Sequence, residues 1–149
     1  MIKLYVNNKT KYNFKFKRLF KKIIKLISKE FGVKKNIEIS LIIINNKDIK
    51  KYNRDYRNKD YSTDILTFPQ NGLELGNKIG KYLMGDIFIS FEKIISQSEE
   101  FGHNLKREWS YIFAHGVLHL FGLNHIKKEE ELYMNNLAEK IMKKIKVGR

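Results

Sequence analysis

The chain has 149 residues, the length of one domain, and we expect a single domain over residues 1–149. Apolar residues make up 42% of it with only one proline, which argues against disorder, and with no cysteine it can form neither a disulfide framework nor a Cys-ligated metal site. Its net charge of +14 draws polyanions and makes nucleic acid a candidate partner, although 25 lysines to 5 arginines, with abundant Ile and Asn, also fit the codon bias of an AT-rich genome.

The N-terminus, "MIKLYVNNKT", has no apolar signal region, and the longest aliphatic run, Leu41 to Ile44, is far too short to span a bilayer. We therefore expect a soluble cytoplasmic protein with no membrane partner. Ile2 to Val6 reads as a first strand. Phe14 to Phe31 reads as a helix with Phe16, Phe20, Ile23, Ile24, Ile27 and Phe31 at helical spacing, stopped by Gly32. Its other face carries Lys15, Arg18, Lys21, Lys22, Lys25 and Lys29, which we read as solvated in preference to RNA-binding. Ile37 to Ile44 is β-branched and apolar between two asparagines, a buried strand.

Lys47 to Tyr56 reads as a short helix and Ile65 to Phe68 as a short strand ended by Pro69. A loop with Gly72, Gly76 and Gly80 follows, then a strand over Asp86 to Ser90. Phe91 to Glu100 and Leu105 to Leu120 read as helices, the second with Leu105, Trp109, Ile112, Phe113 and Gly116 on its buried side. Leu132 to Ile145 is a last helix, with Leu132, Leu137, Ala138, Ile141 and Ile145 inward. The class is α/β (α+β): a small mixed sheet of about four strands covered by helices.

Three of the four histidines fall in "AHGVLHLFGLNH", Ala114 to His125. His115 and His119 are i and i+4, offset by about 40° and about 6 Å of rise, so both rings can face one ion. Gly122 can end the helix and return His125 to that ion. We therefore expect one metal at the helix end and the following turn. Three neutral imidazoles suit Zn2+, one per chain, and three protein ligands leave a position open for water. The spacing is that of HExxH zinc proteases, but Gly116 stands where those carry the general-base glutamate. His103 lies outside this group, in "FGHN", and reads as a surface residue of a loop between helices.

These motifs resemble the YbeY family of rRNA-maturation endoribonucleases. The family pattern H-G-x-L-H-L-x-G-[YH]-D-H meets "HGVLHLFGLNH", His115 to His125. The pattern L-N-x-x-Y-R-x-K-D-x-P-T-D-V-L-S-F-P meets "YNRDYRNKDYSTDILTFP", Tyr52 to Pro69, and G-D-I-x-I-S meets Gly85 to Ser90. The resemblance implies one zinc on His115, His119 and His125, with His115 also critical for activity. It marks Arg57 as the functional arginine. It implies a cytoplasmic, single-strand-specific endoribonuclease acting on RNA in ribosomal particles, in 16S rRNA 3′-end maturation and ribosome quality control, with DNA not expected as a substrate.

Asn124 departs from the family Asp beside the third ligand, keeping an acceptor but losing the charge, and Ser62 replaces a proline. From spacing alone, Arg57 reads as a surface ion pair with Asp60 or Asp64; the resemblance makes it a phosphate-gripping guanidinium instead. Tyr52, Tyr56 and Tyr61 read as core or rim packing before base stacking. Asp64 and Asp86 read equally as base, ligand-orienting or capping residues. Two rival functions stand beside the nuclease: a zinc peptidase-like hydrolase, which Gly116 argues against, and a ribosome assembly factor whose metal is structural.

Overall fold

The computed structural model describes residues 1–34, 36–123 and 127–146. In chain order the elements are β1 (Ile2–Asn8), α1 (Lys17–Glu30), β2 (Ile37–Ile44), α2 (Asn46–Arg57), β3 (Ile65–Pro69), α3 (Gly72–Ile79), β4 (Tyr82–Ser90), α4 (Phe91–Phe101), α5 (Leu105–Leu120) and α6 (Lys128–Lys144). The strands form one mixed sheet in the order β1-β2-β4-β3. β1, β2 and β4 run parallel, and β3 closes one edge antiparallel to β4. This is the expected α/β architecture. Among the described residues no helix is long and apolar enough to cross a membrane.

Strand β2 shows why the core lies where it does. Ile37, Ile39, Leu41 and Ile43 are buried, while Glu38, Ser40 and Ile42 between them are half-buried. A period of two sends the first set to one face of the sheet. There they meet Phe20, Ile23, Ile24 and Ile27 of α1, Trp109, Phe113 and Val117 of α5, and Leu137, Ala138 and Ile141 of α6. The other face holds a smaller cluster under α2, built on Ile44, Ile49 and Leu66 with Tyr52, Phe68 and Phe88 packed against it.

The main core has an aromatic centre. Phe20 stacks on Phe113 with centroids 4.0 Å apart, and Trp109 meets Phe14, Phe20 and Phe91 at 5.0, 6.0 and 4.9 Å. Phe14 belongs to this cluster and not to the helix, which begins at Lys17. Its ring stands edge-on to both Phe16 and Phe20, and that packing shapes the entry to α1.

Several expectations are corrected. The glycine-rich stretch is a helix, α3, because Gly76 serves packing and not a turn: a Cβ there would lie 2.2 Å from the Tyr82 ring. Gly72 and Gly80, each with φ 72°, bound this helix in the left-handed region, and Gly80 caps its C-terminus. β1 runs on to Asn8, and β4 begins at Tyr82, four residues before Asp86. α6 begins at Lys128, its first turn carrying Glu129, Glu130 and Glu131, which complement the helix dipole. Leu132 is 62% exposed and Leu105 41%, so neither belongs to the buried stripe assigned to it. Leu105 is the first residue of α5 and Leu132 the fifth of α6, both near the N-terminal ends of their helices.

Candidate active site

Gly116 sets the placement of α5 on the sheet. A Cβ there would stand 2.7 Å from Ile65 Cδ1 of β3 and 3.2 Å from Ile87 of β4. Its absence lets the helix approach both strands, and it fixes which way α5 is rotated. The direction a glutamate would take from position 116 is filled by those two isoleucines. We expect Gly116→Ala to cost about 1–3 kcal/mol, because Ile65 must shift to admit the methyl. Urea unfolding measures this; an unchanged midpoint would mean β3 yields freely.

With Gly116 against the sheet, His115 and His119 lie beside it, both half-buried. The His115 ring packs on Tyr111 with centroids 4.6 Å apart. His119 Nδ1 lies 3.0 Å from the Leu123 carbonyl oxygen. A carbonyl only accepts, so Nδ1 carries the proton and Nε2 keeps its lone pair, the tautomer a metal ligand needs. Gly122 takes the expected positive φ, 99°, directly after α5. His125 and Asn124 lie outside the described residues. Among the described residues no group of three His, Asp or Glu side chains gathers as a metal site.

Arg57 ends α2, and Asn58 follows in the left-handed region (φ 57°, ψ 32°). The Arg57 guanidinium donates from Nη2 to the Thr67 carbonyl oxygen and lies 5.3 Å over the Phe68 ring. Both contacts tie it to edge strand β3. Among the described residues it forms no ion pair, so the alternative of a surface pair with Asp60 or Asp64 is not the arrangement found.

Arg57 and His119 line the same cleft, of about 410 Å³, together with Asn53, Lys59, Asp64 and Thr67. His115 is not part of that lining. Asp64 Oδ2 accepts from Gln97 at 3.4 Å, and Asp64 also borders a neighbouring cavity of about 420 Å³ with His103 and Glu108. Asp86 is exposed on β4 and does not line the cleft. The residue before it has a packing role: a Cβ on Gly85 would lie 2.2 Å from the Phe68 carbonyl oxygen, so glycine admits β3 alongside. His103 is in the loop between α4 and α5 as expected. It is not a plain surface residue, however, since its Nδ1 lies 3.4 Å from Glu108 Oε2 and its side chain is 15% exposed.

The tyrosines divide. Tyr52 packs on Phe88 at 4.8 Å, Tyr56 is an exposed rim residue, and Tyr61 borders the cleft. Asn53 was not singled out from sequence. It is buried, its Nδ2 donates to the Tyr61 carbonyl at 2.9 Å, and its own carbonyl accepts from Lys59 N at 3.2 Å. It thereby pins the loop from α2 to β3 over the cleft. The available signal was its position four residues after Ile49, on the inward face of α2.

The sequence model of the family described as Endoribonuclease YbeY matches residues 4–146. A protein of that name from Mycoplasma mobile is 40% identical over 142 residues, covering 95% of this chain and 93% of the relative. One from Mycoplasmopsis pulmonis is 38% identical over 144 residues, covering 97% of each. In fold, the chain is similar to a Thermotoga maritima protein solved in solution, with TM-score 0.63 at 23% identity, over 97% of this chain and 91% of that one.

Proposed function

From the premise that the chain belongs to the YbeY endoribonuclease family, we propose that it hydrolyses phosphodiester bonds of single-stranded RNA in the cleft between Arg57 and His119. The carrying observation is that these two residues, far apart in sequence, border one cleft with Arg57 anchored to β3 and not to a carboxylate. We read residues 1–149 as one domain of this kind. Its substrate is RNA of ribosomal particles in the cytoplasm, and its roles are 16S rRNA 3′-end maturation and ribosome quality control.

We assign one Zn2+ to His115, His119 and His125. The donor chemistry fits, because the Leu123 carbonyl holds His119 in the ligating tautomer. Zinc supplies Lewis acidity for hydrolysis when bound. The chain's own residues do the rest. Arg57 spends one of its five N–H donors on Thr67, so its planar fork remains suited to a phosphate at the cleft. Its fixed charge opposes the negative charge that builds on the phosphoryl oxygens during attack. Lys59 adds a second cation at the rim. Asn53 holds the loop that carries Lys59 and Tyr61.

His119→Ala should lower metal affinity by tenfold or more, since even loss of a ligand's supporting partner costs about 10–100-fold. Full metal occupancy in that variant would remove His119 from the site. Binding should weaken in acid, because protons compete for the imidazoles.

The functional test is incubation of nuclease-free protein with single-stranded RNA and, separately, with an unstructured peptide. We expect cleavage of RNA alone. Peptide cleavage would instead favour a peptidase, against the filled space at Gly116. Cleavage of neither, with metal bound, would favour an assembly factor.

A further inference from the structure

Helix α1 carries six cations, Lys17, Arg18, Lys21, Lys22, Lys25 and Lys29, and a single acid, Glu30, at its end. All six cations are exposed, and among the described residues none is in an ion pair. Glu30 does not neutralise them. It accepts from Lys140 Nζ of α6 at 2.8 Å and lies 3.8 Å from Lys144, and the Lys140 hydrogen bond, more than any other effect, holds its carboxyl below the usual range.

Codon bias toward lysine does not account for this pattern. The same bias acts on α6, whose sequence holds four lysines and four glutamates and so is balanced. On α1 the acids are missing from the exposed face, although glutamate is as good a helix former as lysine. Like charges at i, i+4 destabilise a helix, and 17/21, 18/22, 21/25 and 25/29 are all such pairs. A helix that keeps this repulsion unrelieved is shaped by something other than its own stability.

We propose that the exposed face of α1 is a docking surface for the phosphate backbone of RNA, separate from the cleft and blind to base sequence. Lys17, Lys21, Lys25 and Lys29 form a row stepping about 6 Å along the axis, a spacing of the same order as that between successive phosphates of one strand. An anionic membrane is the other polyanion such a face could meet. It is disfavoured because Phe20, Ile23, Ile24 and Ile27 are fully buried in the core, leaving no apolar stripe to enter a bilayer. Docking here would let the protein hold a folded RNA while a single-stranded segment reaches the cleft.

The test uses the full-length protein and a labelled RNA hairpin with a single-stranded tail, its affinity followed by anisotropy across a salt series. Each lost phosphate contact lowers the slope of log K against log[salt] by about 0.7–0.9. The K21Q/K22Q/K25Q/K29Q variant should therefore lose about 2.8 to 3.6 units of slope, and K21Q/K25Q about half of that. The four lysine-to-arginine exchanges should keep the slope, and the thermal midpoint of each variant checks its fold. A scattered variant of equal charge, K50Q/K106Q/K128Q/K143Q, should keep most of it. Equal loss in both quadruple variants would mean net charge alone is read, and would overturn the proposal. So would an unchanged slope in the α1 variant, or loss of binding to phosphatidylserine vesicles without loss on RNA. Cleavage of a short unstructured RNA should be unaffected by the α1 changes, so failure of the cleft assignment and failure of this one are seen separately.

Discussion

Arg57→Ala should slow cleavage of single-stranded RNA by about 10²–10³, the usual consequence of losing one fixed group that meets developing charge. The fold should survive the change. Arg57 is exposed, and its guanidinium is held by a hydrogen bond to the Thr67 carbonyl and by the face of Phe68. Zinc content should also hold, since arginine is not a ligand. Arg57→Lys should recover part of the rate, because an ammonium restores charge but not the planar two-point grip on a phosphate. Thermal midpoint, zinc content and cleavage rate measured on each variant separate the possibilities. Normal cleavage by Arg57→Ala would remove the residue from the chemistry. A large fall in midpoint would make it a clasp between α2 and β3 and nothing more.

Phe20→Ala should cost about 3–5 kcal/mol of stability, a large share of the roughly 5–15 kcal/mol that holds a domain folded. Phe20 is fully buried, lies parallel to Phe113 at 4.0 Å, and touches the rings of Phe14 and Trp109. Truncation leaves a void between α1 and α5 that these stiff neighbours fill poorly. Urea denaturation reads the cost directly. A midpoint within error of the parent would show that the aromatic centre rearranges to close the gap.

What the sequence made legible was mostly periodic. The apolar, β-branched run of β2 pointed to a buried strand and the helical stripe of α1 to its buried face, and Gly122 ends α5 with the positive φ its position suggested. Two glycines, one in α3 and one inside β4, misled because the reasons for them are tertiary. Gly76 makes room for the ring of Tyr82 and Gly85 for the backbone of β3, and neither neighbour is apparent before the sheet forms. The same holds for the site. The i, i+4 histidines were visible as a local pattern. That Arg57 shares a cleft with His119 depends on β3 pairing antiparallel at the sheet edge, beside the end of α5. Asn53 looked like an ordinary polar helix residue because its two partners lie in the loop that it organises.

The central claim is that this cleft hydrolyses RNA with a histidine-bound metal, and it is tested most directly on one nuclease-free preparation. Zinc content and the rate of single-stranded RNA cleavage are measured as purified, after chelation, and after zinc is restored, with His119→Ala carried through in parallel. The account predicts about one zinc per chain, cleavage that falls with chelation and returns with zinc, and a His119→Ala protein that stays folded but neither holds the metal nor cleaves. Cleavage that persists without metal, or a fully zinc-loaded protein that leaves RNA intact, would contradict it.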